Sequence, residues 1–333
     1  MSMALISNPP MWLAGYIPDI PTPFDEQGAV DLAALVMLCQ RQIDAGVTAI
    51  LVSETGGEAS TLTPAEQEGV IRAAVGVAQG RVRVIAGVGS NSTSRAIELT
   101  RRAEAAGADA VLSVVPYYNK PTQAGIQAHF TAIAVSTALP IILHDVPSRT
   151  MRELSDDTLM QLVSSGHFIG LKDATGDIPR LLRLRQLLPA GFRLLSGDDT
   201  TALPFIANGG DGCISIVSNV APRLCQNVFT NCRRARPQTA RYLQERLAPL
   251  TTALTKESPA ALKYALFLLG FMSPATRLPI VELTDDAKTE VASAIAAIGG
   301  EDTRCPVGRR CPCQLPSPPK GFNTLAGKPS DSE

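Results

Sequence analysis

Four times along this chain an amphipathic stretch ends in a glycine and is followed at once by a short apolar run: "DAGVTAILV", "AAGADAVLSVV", "SSGHFIGLK" and "NGGDGCISIV". A glycine just past a helix takes the left-handed conformation that caps it, and an uninterrupted apolar run suits a strand buried on both faces. Each unit therefore reads helix, cap, strand. The stretches "GYIPDIPTPF", "VRVIAGVG", "LPIILHD" and "FRLLSG" bring the candidate strands to eight between about 15 and 218, nearly all separated by helical segments. Such alternation implies parallel pairing, and eight units favour an α/β architecture of the closed (β/α)8 kind, a TIM barrel, over an open doubly wound sheet.

The barrel is expected over residues 13–235, after an N-terminal arm at 1–12. From 236 to 298 only helical patterns remain, in "QTARYLQERLAPLTTAL", "PAALKYALFLLGF" and "DDAKTEVASAIAAI". This reads as an appended helical segment that packs on the barrel or on another subunit and has no chemistry of its own. Residues 299–333 are rich in Pro, Gly, Ser and charge, and read as a disordered tail. Its "CPVGRRCPC" holds three of the seven cysteines, but three thiols without a fourth ligand are a weak metal signal, and no metal is assigned. The odd cysteine count and scattered spacing do not form a disulfide framework.

Composition narrows the partners. Hydrophobic residues make up 45% of the chain and charged ones 18%, enough apolar material for a large core. With a net charge of -1 and no basic cluster interleaved with aromatics, the chain lacks the footprint of a nucleic-acid binder, so small molecules are the expected partners. It has neither a basic leader followed by a long apolar run nor an apolar stretch of about 18 residues, and reads as cytoplasmic, with no membrane contact.

In a barrel, active sites sit at the C-terminal ends of the strands. The polar residues there are Glu54 and Thr55, Tyr117 and Tyr118, His144 and Arg149, Lys172 and Asp173, and Ser196 to Asp199. Lys172 stands out, because residues 1–255 contain only two lysines, Lys120 and Lys172. Following three apolar residues, it is expected to project into the barrel mouth, where desolvation lowers the ammonium pKa and leaves an amine able to form a Schiff base. A structural ion pair with a carboxylate is the competing reading. "GVGSN" lacks the full dinucleotide fingerprint, and Gly209–Gly210 precede the last strand, at the wrong face for a phosphate cradle, so no nucleotide cofactor is assigned.

Over residues 13–298 an ordered run of segments, "YIPDIPTPFDEQGAVD", "ETGGEASTL", "VIAGVGSNST", "VPYYNKPTQAGIQAHF", "HDVPSRT", "GLKDATGD", "LLSGDD" and "DGCISIVSNVAP", resembles the dihydrodipicolinate synthase family of class I Schiff-base pyruvate aldolases and lyases. The resemblance implies a lyase of lysine biosynthesis that needs no cofactor, because Lys172 itself condenses with pyruvate to an imine whose enamine adds to aspartate semialdehyde. It also implies that Tyr118 reaches into a neighbouring subunit of a homodimer or homotetramer, that Thr55 links a proton relay, and that Arg149 binds the semialdehyde carboxylate. Ile214 would contact pyruvate through its backbone, with Gly56 and Gly197 as further substrate-binding positions.

Three departures mark this chain. His144 stands where the family has a tyrosine as proton donor and acceptor; a neutral imidazole can both donate and accept, so His144 is expected to take over the relay, against the alternative of a histidine filling space in a weakened site. In "ETGGE", Glu54 replaces a glycine and Gly56 a threonine, which removes a contact to the pyruvate carboxylate and adds a carboxylate able to repel an anionic substrate or to favour a charged Lys172. Arg95 replaces the glutamate that holds lysine in feedback-inhibited members, and Pro64 a histidine, so lysine inhibition is not expected. Beside the synthase reading stand two others: a Schiff-base lyase acting on a different oxo acid or aldehyde, and a catalytically idle paralogue that binds an oxo acid or a partner.

Overall fold

The glycines of the four repeated units all adopt positive φ: Gly46 at 83°, Gly107 at 90°, Gly166 at 79° and Gly209 at 99°. Each lies between a helix and the strand it feeds, so helix termination and chain reversal are encoded at the same residue. In the computed structural model, which describes residues 10–299, the strands are β1 (Gly15–Pro18), β2 (Ala49–Val52), β3 (Arg83–Gly87), β4 (Ala110–Val114), β5 (Ile141–Asp145), β6 (Phe168–Asp173), β7 (Arg193–Ser196) and β8 (Gly212–Ser215). All pair in parallel in the order β1-β8-β7-β6-β5-β4-β3-β2. A parallel bridge between Asp19 and Leu51, with the Ile20 N–H donating to the Leu51 carbonyl at 2.8 Å, brings β1 to β2 and closes the expected TIM barrel.

Between the strands run α1 (Leu32–Asp44), α2 (Pro64–Ala78), α3 (Thr93–Ala105), α4 (Gln123–Ala134), the short α5 (Pro147–Thr150), α6 (Asp156–Val163), α7 (Ile178–Leu187) and α8 (Ala202–Ala207). After β8 come α9 (Pro222–Arg233), α10 (Pro237–Lys256), α11 (Ala260–Leu268) and α12 (Asp285–Ile298). Among the described residues no helix is long and apolar enough to cross a membrane. The expected cysteine-bearing tail and most of the N-terminal arm lie outside the described residues. Cys39, Cys213 and Cys225 are buried, as small apolar residues are.

Side-chain alternation along the strands separates two cores. Ile17, Ala49, Leu51, Ile85, Ala110, Leu112, Ile142, Leu195 and Ile214 fill the barrel interior, while their neighbours Ile50, Val52, Val84, Val111, Leu143 and Leu171 pack outward with the helices. The period of two carries a direct consequence for function: two residues beyond Ile142 is His144, and one beyond the outward Leu171 is Lys172, so both point into the lumen.

The segments just past these two residues are clamped from below. Asp145 and Asp173, paired across β5 and β6, both face Arg180 of α7, whose guanidinium reaches Asp145 at 2.7 Å, Asp173 at 3.5 Å and Asp156 at 3.1 Å. Burial comes first among the influences on Asp145 and pushes its carboxyl up to about 6 in spite of Arg180. Removing one partner of such a buried cluster leaves uncompensated charge. Arg180→Ala is therefore expected to cost about 3–5 kcal/mol of stability, read as a lowered urea midpoint; a change within the error of the measurement would show that the cluster does not hold the barrel.

Candidate active site

The loop after β2 is built to bring one carboxylate over the lumen. Ser53 takes φ 57°, turning the chain sharply, and its carbonyl lies so near β3 that a Cβ on Gly87 would stand 2.1 Å from it. Only glycine at 87 leaves room for that turn. The next residue, Glu54, thereby reaches back over the strand ends, where it is buried.

Its carboxylate lies between two residues of the sequence-based list. Glu54 Oε1 is 2.9 Å from His144 Nδ1, Glu54 Oε2 is 3.3 Å from Lys172 Nζ, and the Thr55 N–H donates to Oε2. A second carboxylate, that of Asp19 just beyond β1, stands with Oδ2 3.7 Å from the same Nζ. His144 and Lys172 are register partners on β5 and β6, which fixes their separation through the sheet.

These contacts set the charges. Burial alone would drive the Lys172 ammonium down, at an effective cost of several kcal/mol for an ion out of water. Against it stand attractions of about 5 kcal/mol from Glu54 and about 4 from Asp19 at an effective dielectric of ~20. The carboxylates win, and Lys172 titrates above the ordinary lysine range. This corrects the expectation of a lowered amine pKa: desolvation acts as expected, but two carboxylates outweigh it. Burial would likewise raise the Glu54 carboxyl, yet Lys172 and then His144 hold it well below the usual carboxylate range. Burial, followed by the Lys172 charge, keeps the His144 imidazole below its ordinary value despite Glu54. With Glu54 ionised, the proton of a neutral imidazole sits on Nδ1 and donates to it, leaving the Nε2 lone pair as a base.

Around this cluster lies a cavity of about 280 Å³ lined by Asp19, Thr55, His144, Arg149, Lys172, Gly197 and Ile214, among others. It opens beside a second cavity of about 520 Å³ that shares Thr55 and Arg149 and extends to Glu54 and Arg95. Arg149 comes from α5, directly after β5, and Ile214 from β8. A Cβ on Gly197 would meet the Ala174 Cβ at 2.9 Å and Lys172 Cγ at 3.1 Å, so glycine here leaves the lysine its space. Thr255 and Ser258 of the C-terminal segment, to which the sequence reading gave no chemistry, also line the smaller cavity.

Two expected residues stand elsewhere. Gly56 does not line that cavity; its N–H donates to Asp19 Oδ2 at 3.2 Å. Tyr118 is 88% exposed at φ 70°, outside the lining of either cavity. Asp19 is the residue that sequence reasoning missed, although an acidic residue directly after an apolar strand was a usable signal. Among the described residues no group of three or more His, Cys, Asp or Glu side chains is arranged to hold a metal.

A buried lysine facing one small cavity at the strand ends of a closed barrel matches a family already suggested by sequence, with His144 standing where that family has a tyrosine, and the model of the dihydrodipicolinate synthetase family fits residues 12–298. The chain belongs to that family. A 4-hydroxy-tetrahydrodipicolinate synthase of Cereibacter sphaeroides is 46% identical over 288 residues, covering 86% of this chain and 99% of that one. The protein of the same name from Methylobacterium radiotolerans is 44% identical over 288 residues, covering 86% and 96%. Among solved structures, the chloride-inhibited dihydrodipicolinate synthase of Acinetobacter baumannii complexed with pyruvate superposes with a TM-score of 0.83 at 40% identity, covering 86% of this chain and 99% of that one. The Glu54–His144 bridge joins two of the positions at which this chain departs from the pattern its sequence resembles.

The bridge makes a directional prediction. Glu54→Gln removes the stronger of two anions facing Lys172, so the pH midpoint for acylation of Lys172 by an amine reagent, followed by peptide mapping, is expected to move down. An unchanged or higher midpoint would show that Glu54 does not hold the ammonium charged.

Proposed function

We propose that this chain condenses pyruvate with aspartate semialdehyde, as a 4-hydroxy-tetrahydrodipicolinate synthase, through an imine on Lys172. The observation that carries the reading is Lys172 itself: a buried lysine at the end of β6, pointing into a cavity, with a base-competent histidine on the neighbouring strand. The relatives that match along nearly their whole length support this reading above a lyase with other substrates or an idle paralogue.

The lysine amine adds to the pyruvate ketone and water leaves, giving an imine that withdraws electrons from the adjacent methyl group. His144 Nε2 removes a methyl proton, and the resulting enamine carbon attacks the aldehyde, whose oxygen takes up a proton as the new bond forms. Arg149 binds the semialdehyde carboxylate in the bidentate manner its guanidinium allows. Thr55, Gly197 and the Ile214 backbone shape the pyruvate end. Lys172 carries the chemistry, so no cofactor is required. The exposed Tyr118 serves a neighbouring subunit of a homodimer or homotetramer, and the site works in the cytoplasm.

Incubation with pyruvate and borohydride, read by intact mass and peptide mapping, is expected to place one adduct on Lys172 and none in Lys172→Ala. In His144→Ala the adduct persists while turnover falls by roughly 10²–10⁴-fold, the usual contribution of a positioned acid or base. Wild-type turnover in His144→Ala would rule out the imidazole as the base.

Arg95 lines the larger cavity, paired with Glu98 at 2.9 Å, and Pro64 opens α2. A cation there repels the ammonium groups of free lysine. Sub-millimolar lysine is expected to leave the initial rate unchanged; inhibition in that range would show that the arginine does not guard the cavity.

A further inference from the structure

The reaction requires Lys172 as a free amine, yet the resting site stabilises it as an ammonium. Some group must take the proton as pyruvate enters. Glu54 is poorly suited, because its two oxygens already accept from His144, Lys172 and the Thr55 N–H, and protonation would break that set. His144 donates its Nδ1–H to Glu54 at 2.9 Å, and its Nε2, the base needed for the methyl proton, is not among the hydrogen-bond or ion-pair partners of Lys172 Nζ, which among the described residues are Glu54 and Asp19.

Asp19 differs on every count. It is 2% exposed, its Oδ2 is 3.7 Å from Lys172 Nζ and accepts from the Gly56 N–H at 3.2 Å, and its Oδ1 is buried with no hydrogen-bond partner. An unpartnered buried carboxylate oxygen carries a desolvation penalty that protonation removes. The surrounding chain is shaped to the group, since a Cβ at position 56 would stand 3.1 Å from its carboxyl carbon and 3.2 Å from Oδ1. The charged side chains facing it are Lys172 and Glu54.

We propose that Asp19 is the proton acceptor that converts the Lys172 ammonium into the nucleophilic amine, and that it returns the proton when the carbinolamine loses water. The inference rests on the Schiff-base reading above and adds the group that starts it. A proton passes from Nζ to Asp19 Oδ2, and the freed nitrogen lone pair forms the C–N bond to the ketone carbon while the carbonyl electrons move to oxygen. One nitrogen-bound proton then shifts to that oxygen, giving the carbinolamine. Asp19 delivers its proton to the hydroxyl, which departs as water as the nitrogen lone pair forms the iminium. The sum is ammonium plus ketone giving iminium plus water, with Asp19 regenerated. The transfer also removes the negative charge that would oppose the pyruvate carboxylate.

Burial, partly offset by Lys172 and reinforced by Glu54, pushes the Asp19 carboxyl up to about 7. An acceptor must be ionised, so imine formation is expected to accelerate as pH rises through about 7. The experiment is rapid-quench borohydride trapping at saturating pyruvate across pH, for wild type and Asp19→Asn. In Asp19→Asn the trapping rate at neutral pH is expected to fall at least ~10²-fold, the lower end of what a positioned acid or base contributes, and the inflection near neutrality to disappear. Equal rates and equal pH profiles in the two proteins would overturn the proposal while leaving the Schiff base intact. No adduct in the wild type would overturn the underlying reading and this step together. Should Asp19→Asn not fold, time-resolved infrared difference spectra of wild type carrying ¹³C-aspartate decide the matter: after mixing with pyruvate an isotope-shifted protonated-carboxyl band is expected to rise and then decay as the iminium forms, and iminium formation without that transient would overturn the assignment.

Discussion

One carboxylate organises the mouth of this barrel. Glu54 is held between an ammonium and an imidazole at hydrogen-bonding distance from each, and its charge favours the ammonium form of the first and selects the tautomer of the second. Without it Lys172 would face burial with only the more distant Asp19 as counter-ion, and the His144 ring would have no partner to select its tautomer. The bridge therefore does two jobs that the glycine of the family pattern could not: it keeps Lys172 charged at rest and it leaves Nε2 of His144 as the unprotonated nitrogen.

Much of the scaffold was legible because its signals are local. Gly46, Gly107, Gly166 and Gly209 announced the helix ends, and the apolar runs after them announced strands, since both depend only on backbone conformation and period. Lys172, His144, Arg149 and Gly197 were found because strand ends of a barrel converge on one cavity, and Ile214 because the sequence resembles a known family. The Glu54 bridge was legible as a substitution but not as a geometry. Whether that side chain faces the lumen depends on the left-handed turn at Ser53 and the bare backbone at Gly87, residues that are 34 positions apart. Asp19 escaped notice for the same reason: its significance comes from Lys172, on a strand far away in sequence. The sign of the Lys172 shift followed from counting carboxylates in space, which strand periodicity does not supply.

The C-terminal helices secure the same loop from outside. Lys263 of α11, buried against the ring of Phe24 at 3.9 Å, forms an ion pair with Glu58 and donates to the Ala275 carbonyl at 2.9 Å. The Arg277 N–H donates to Glu58 Oε2 at 3.0 Å, and its guanidinium pairs with Glu66 at the start of α2. Glu58 lies four residues after Glu54, so the helical segment anchors the far end of the loop whose near end carries the Glu54 bridge. Burial pushes Lys263 down to about 8 even with Glu58 beside it, which marks how dry this anchor is.

The close approach of position 56 to Asp19 bears on how such a site is assembled or undone. A threonine there, as in the family pattern, would bring its Cβ to 2.9 Å from the Asp19 carbonyl oxygen and 3.1 Å from the carboxyl carbon. The glycine and the aspartate are thus a linked pair, whose exchange one at a time passes through a crowded intermediate or an emptied one. Positions 19, 54, 56 and 144 meet in one cluster, so a threonine restored at 56 would have to be accommodated by its neighbours as well as by the backbone it touches.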